Sequence, residues 1–135
     1  MQSLKNLWGE GGTALGAWVS LRDPLVAEVA GAAGFDYVCV DMQHGLADLA
    51  QTMVLLHAIT GGSAVPIVRV PWNEPGIIGR VLDAGALGVI IPMVNSPEEA
   101  EAAVAACRYA PAGARSFGPL TAGALHGGSY YPEAN

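Results

Sequence analysis

The sequence predicts an α/β fold built from four strand–helix units with parallel strands. Three observations lead there. Short apolar runs recur roughly every 20 to 30 residues, each followed by a helical segment. The runs are apolar throughout instead of alternating with polar residues, as in strands covered on both faces. The same joint between a helix end and a strand is also used twice, as "AAGFDYVCVD" and "DAGALGVIIP". A doubly wound sheet and a (β/α)8 barrel both fit this pattern. No GxGxxG follows the first strand and no GxxxxGK[ST] occurs, which counts against nucleotide-binding layouts.

The elements follow in order. The first strand is expected over residues 17–21. Asp23 then serves as N-cap and Pro24 as the first helical residue, with the helix continuing to residue 33. Gly34 stands where a helix-ending glycine belongs. Residues 37–40 form the second strand. Asp48 and Gln51 resemble a capping box, and Leu49, Met53 and Leu56 fall at helical spacing until Gly61 and Gly62. The third strand is expected over residues 67–70. Asn73 is the candidate cap of a helix that runs to Ala84 and ends at Gly85. Residues 88–91 make the fourth strand, closed by Pro92. Ser96, Pro97 and Glu99 give the clearest helix start, and that helix reaches about Arg108. After Ala110 comes a loop rich in Gly and Pro, then an irregular tail to Asn135.

Composition narrows the partners. Apolar residues make up 52% of 135, enough for a sizeable core, and charged residues only 13%, which argues against disorder. Net charge is −6 and the pI near 4.8, so neither nucleic acid nor an anionic membrane is an expected partner. No apolar run reaches the roughly 18 residues of a spanning helix, and the N-terminus lacks a signal-peptide layout. A cytoplasmic protein of one domain is expected. Cys39 and Cys107 are far from metal-ligand spacing and read as inert buried thiols. The single lysine, Lys5, lies in a polar N-terminal stretch, so these residues offer no strand-borne lysine for a Schiff base. A complete (β/α)8 barrel needs roughly 250 residues and eight units. Four units make either a small four-stranded sheet or the front half of a longer chain.

The candidate site follows from the fold class. Parallel α/β folds place catalytic residues at the carboxyl ends of their strands. Asp41 and His44 follow the second strand, and Arg69 ends the third. Trp18 lies within the first strand with Arg22 beyond it, and Pro92, Met93 and Asn95 follow the fourth. A guanidinium is expensive in an apolar strand unless paired. Arg69 is therefore either a structural ion pair, with Asp41 as the available partner, or a clamp for an anion or carbonyl. His44 is either a surface loop residue or a general base oriented by the acid three residues before it. Trp18 is core or pocket wall. His57 reads as a surface or packing residue and Asp83 as surface, and His126 has no assigned role.

The segments "GAWVSLRDPLVAEVAGAAGFDYVCVDMQHG", "PIVRVPWNEPGIIGRVLDAGALGVIIPMVNSPEEAEAAV" and "RYAPAGARSFGP" resemble the HpcH/HpaI aldolase family, over residues 16–135. The resemblance implies an incomplete (β/α)8 TIM barrel, its first four β/α units, as a single partial domain over residues 1–135. It implies a class II, metal-dependent retro-aldol cleavage of a 4-hydroxy-2-oxo acid to pyruvate and an aldehyde. By this resemblance the catalytic histidine is His44 and its partner acid is Asp41. Arg69 contacts the keto oxygen and stabilises the enolate, and Trp18 joins it in binding substrate. The divalent metal (Mg, Mn or Co) would be held by a Glu and an Asp from later strands, so no metal ligand is expected here. A homo-oligomer is expected at full length. Two positions depart from the family pattern: Gln43 replaces the glutamate of D-x-E-H, and "LTAGALHGG" lacks an arginine usual after "GP". The rival readings are a lyase of the citrate-lyase-β or malyl-CoA type and a non-catalytic half-barrel. Residues 1–135 alone are expected to bind metal weakly and not to turn over, and, with two strand edges and apolar surface open, to self-associate or be unstable.

Overall fold

A computed structural model describes residues 4–135. Its strands are β1 (Gly16–Val19), β2 (Tyr37–Asp41), β3 (Val65–Arg69) and β4 (Gly88–Ile90). All three pairings are parallel, and the strand order is β1-β2-β3-β4. The helices are α1 (Leu4–Gly9), α2 (Pro24–Ala32), α3 (Leu49–Thr60), α4 (Pro75–Asp83), α5 (Pro97–Cys107), α6 (Leu120–His126) and α7 (Tyr130–Glu133). A doubly wound sheet reverses its winding at a switch point. These four strands never do: each crossover helix delivers the next strand to the same side, as in an arc of a barrel.

Both faces of the sheet are covered, which explains the unbroken apolar runs. Val38, Val40, Val68 and Val70 point outward and pack, fully buried, with Ala27 of α2, Leu55, Leu56 and Ile59 of α3, and Ile78 and Val81 of α4. Burying each Leu, Ile or Val of this layer stabilises the fold by about 1.5–3 kcal/mol. Cys39, Val65 and Ile67 point the other way and pack with Tyr37, Ile90 and Leu4 of α1. That second face is the inner wall of the arc.

The helix starts largely follow the expected chemistry. Asp23 accepts from the Leu25 N–H at 2.9 Å, and the Ser96 hydroxyl from that of Glu99 at 3.3 Å. Asp48 accepts from the Gln51 N–H at 2.8 Å, but the capping box does not close. The Gln51 amide instead donates to the Arg22 carbonyl at 2.8 Å, tying α3 to the loop after β1. Asn73 is not the cap of α4. Glu74 is, its two carboxylate oxygens accepting from the Gly76 and Ile77 N–H groups at 2.8 and 2.9 Å. Gly34 (φ 90°) and Gly85 (φ 113°) supply the left-handed turns that stop α2 and α4.

All four strands shift from expectation: β2 runs one residue further, to Asp41, β4 ends one earlier, at Ile90, and β1 and β3 move more. β1 stops at Val19 because the Ser20 carbonyl leaves the ladder to accept from the Leu46 N–H at 2.9 Å. β3 starts earlier, at Val65. Pro66 has no N–H to give, yet its carbonyl accepts from the Leu87 N–H at 2.8 Å.

The tail is not irregular. Arg115, buried, donates from Nη2 to Asp83 at 2.6 Å and to the Tyr130 hydroxyl at 3.1 Å. It also lies 4.4 Å from the centre of the Tyr109 ring. Asp83, expected at the solvated surface, is thus the anchor of a cationic side chain. His126 reaches the Gly85 carbonyl at 2.8 Å, fixing α6 against the turn into β4. Burial pushes the Tyr109 hydroxyl up to about 12. His57 is exposed, as expected, with Nδ1 2.7 Å from the Met53 carbonyl oxygen. No helix among the described residues is long and apolar enough to cross a membrane.

Candidate functional site

The parallel register sets the last residue of β2 opposite the last residue of β3, and these are Asp41 and Arg69. Side chains two apart on a strand share a face. Asp41 and Arg69 therefore follow Cys39 and Ile67 up the inner wall. Trp18 on β1 is in register with Cys39, on the same wall. Three strand ends converge on one carboxylate.

Asp41 is 2% exposed and accepts five hydrogen bonds. Its Oδ1 takes the Arg69 Nε–H at 2.9 Å and the main-chain N–H groups of Gln43 and His44 at 3.0 and 3.2 Å. Its Oδ2 takes Arg69 Nη2 at 2.6 Å and the Trp18 indole N–H at 3.2 Å. The guanidinium carbon of Arg69 lies 4.9 Å from the centre of the Trp18 ring. The ion pair offered as one reading of Arg69 is thus formed, and it is bidentate.

The charges follow from these contacts. The Arg69 guanidinium holds the Asp41 carboxyl well below the usual carboxylate range, and the indole and loop amides add to this against the opposing effect of burial. Asp41 in turn raises Arg69. One edge of the fork is committed. Nη1 makes no hydrogen bond among the described residues, and the side chain keeps 23% of its surface. Burial pushes the Cys39 thiol up to about 12 and also raises Cys107. Neither thiol is placed to act as a thiolate nucleophile.

His44 sits in the bend after β2 with its side chain exposed. Its bond to Asp41 runs through the main-chain N–H, not the imidazole. The carboxylate therefore fixes where the histidine stands, while the ring forms no hydrogen bond among the described residues. Gln43 is held the same way, through its main chain. Gly45 explains the close fit of the bend. A Cβ there would collide with the Asp41 carbonyl oxygen and crowd the Ser20 Cα at 3.2 Å. We expect Gly45→Ala to displace the bend and lower stability by about 1–3 kcal/mol, the scale of overpacking. Urea unfolding checks this, and an unchanged midpoint would show that the bend has slack.

Met93 and Asn95 are not drawn to Asp41 and Arg69. They line a neighbouring cleft of about 440 Å³ together with Trp72, Asn73, Pro75 and Glu99. Arg22 contributes its carbonyl to Gln51. Sequence reasoning missed the indole-to-carboxylate bond and the need for Gly45. The glycine directly after His44 was the available signal for the second. Among the described residues, no three of His, Cys, Asp and Glu come together in a way that could hold a metal ion.

Known proteins share the fold. The model of the HpcH/HpaI aldolase/citrate lyase family matches residues 14–130. A hydroxypyruvate/pyruvate aldolase of Rhizorhabdus wittichii is 41% identical over 135 residues, the whole of this chain and 54% of the relative. A 5-keto-4-deoxy-D-glucarate aldolase of Escherichia coli is 46% identical over 101 residues, 75% of this chain and 40% of the relative. Among solved structures, an HpcH/HpaI aldolase/citrate lyase family protein of Burkholderia cenocepacia superposes with a TM-score of 0.87 at 33% identity. That match covers 99% of this chain and 56% of the other. The chain thus spans about half the length of the relatives it matches.

Proposed function

Because the chain belongs to the HpcH/HpaI aldolase/citrate lyase family, we propose that its three converging strand ends form the oxo-acid end of a carbon–carbon lyase site. The reaction is retro-aldol cleavage of a 4-hydroxy-2-oxo acid to pyruvate and an aldehyde. The observation that carries this reading is the Arg69 fork at the end of β3, anchored on Asp41 along one edge with Nη1 left over. An anchored guanidinium presents a fixed donor edge to an oxyanion.

In the cleavage, a base takes the proton of the 4-hydroxyl. The oxygen's electrons form the aldehyde carbonyl, the C3–C4 bond breaks, and its electron pair passes into an enolate whose charge rests on the C2 oxygen. Arg69 faces that oxygen and stabilises the charge. C3 then takes up a proton, and pyruvate leaves. His44 is the candidate base, held at the mouth of the arc by its main-chain bond to Asp41. Trp18 walls the same space. The only lysine in this sequence, Lys5, is exposed on α1 and is carried by none of the strands.

The divalent metal implied by the family resemblance does not fit the described residues alone. Both oxygens of Asp41 are taken by N–H donors, and no other acidic or imidazole cluster stands near. No step above runs through a metal, and we propose that its ligands lie outside these residues. The test is to express the protein from its complete reading frame and to supply 4-hydroxy-2-oxo acids with and without Mg, Mn or Co. Pyruvate release, followed by coupled reduction to lactate, is the expected result. Cleavage of acyl-CoA esters alone would replace this reading with a lyase of the citrate-lyase type.

A further inference from the structure

We propose that Trp18 is a positioning residue: its indole fixes the plane of the Asp41 carboxylate and thereby the edge that Arg69 turns toward the oxo acid. The inference rests on the reading of Arg69 given above. A carboxylate can rotate about its last bond, and a fork bound to it rotates with it. Here both oxygens are pinned from different elements. Oδ1 is held by the main-chain N–H groups of Gln43 and His44, in the bend after β2. Oδ2 is held by the Trp18 Nε1–H, from β1. The carboxylate plane is then set, and the bidentate contact transfers that plane to the guanidinium. The Trp18 ring adds a second constraint, with the guanidinium carbon 4.9 Å from its centre.

Among the described residues Trp18 is 46% exposed and donates its ring N–H to Asp41. What tryptophan brings is an apolar face together with one N–H. Phenylalanine would keep the stacking face and lose the bond to Oδ2.

The experiment is a double-mutant cycle on the protein expressed from its complete reading frame, reading kcat/KM for the 2-oxo acid substrate. Trp18→Phe is expected to lower kcat/KM about tenfold, the size of one hydrogen bond to a charged acceptor. Arg69→Lys keeps the charge and loses the fork. In that background Trp18→Phe is expected to cost less than about twofold, because there is no longer a fork to aim. An equal loss in both backgrounds would mean that Trp18 acts on substrate independently, and the inference falls. No loss in the Arg69 enzyme also overturns it. If Arg69→Lys by itself costs nothing, the reading of Arg69 as oxyanion clamp fails, and this inference with it. Trp18→His, which keeps a ring N–H, goes through the same cycle and should lose less than Trp18→Phe. A larger loss on a folded protein, judged by circular dichroism, counts against the proposal.

Discussion

Asp41→Ala should cost about 3–5 kcal/mol of stability, the range seen when one partner of a buried ion pair is removed. Four donor groups converge on this carboxylate: the Arg69 fork, the Trp18 indole and two main-chain N–H groups. Removing it strands all of them at once. Arg69 keeps 23% of its side chain exposed, so water relieves part of the penalty and the lower end of the range is expected. Asp41→Asn keeps an acceptor of similar shape but loses the charge, and should cost less. The pH dependence has a definite sign. Arg69 depresses the folded-state value of Asp41, so its contribution is fully present above the unfolded value of about 3.9 and is lost as pH falls toward the folded one. The gap in denaturation midpoint between the native protein and Asp41→Asn should therefore hold steady from pH 7 to about 5 and narrow below about 4. Urea titrations at pH 7, 5 and 3 check this. A gap that ignores pH would mean the carboxylate is not ionised against Arg69 in the way the geometry implies.

Much of this arrangement can be read from the residues, and the part that cannot has physical reasons. The unbroken apolar runs and the repeated glycine joints at Gly34 and Gly85 specify parallel strands, because both are local signals. Asp41 and Arg69 are legible for a different reason: ionisable groups at the ends of apolar strands are costly, so their presence there demands a partner. What escapes is set by contacts distant in sequence. Asp83 looks like a surface residue until Arg115 folds back onto it across 32 positions. The tail looks irregular because α6 and α7 are short and held by tertiary contacts, Arg115 and His126 among them, more than by helical periodicity. Glu74 displaces Asn73 as a cap because its longer side chain loops back to two amides, a choice between adjacent residues that spacing does not decide. Asp41 and His44 sit three apart, which suggests an acid holding an imidazole. The same spacing serves a carboxylate that holds the main chain instead, and that is the bond the structure contains.

His44→Ala should lower kcat by about 10²–10⁴, the usual contribution of a general base, while leaving stability within about 0.5 kcal/mol. The two halves of this expectation come from different atoms. Alanine keeps the main-chain N–H on Asp41, so the bend after β2 and the Arg69 fork should stay in place. The imidazole is exposed and makes no hydrogen bond among the described residues, so its removal strands no buried group. Kinetics and thermal unfolding measured on the same preparation separate the outcomes. A large fall in kcat with an unchanged unfolding midpoint supports the imidazole as the base. A fall in both would place the effect in the bend. Unchanged kcat would remove His44 from the reaction. The base would then have to come from elsewhere, because both oxygens of Asp41 already accept N–H donors, five in all.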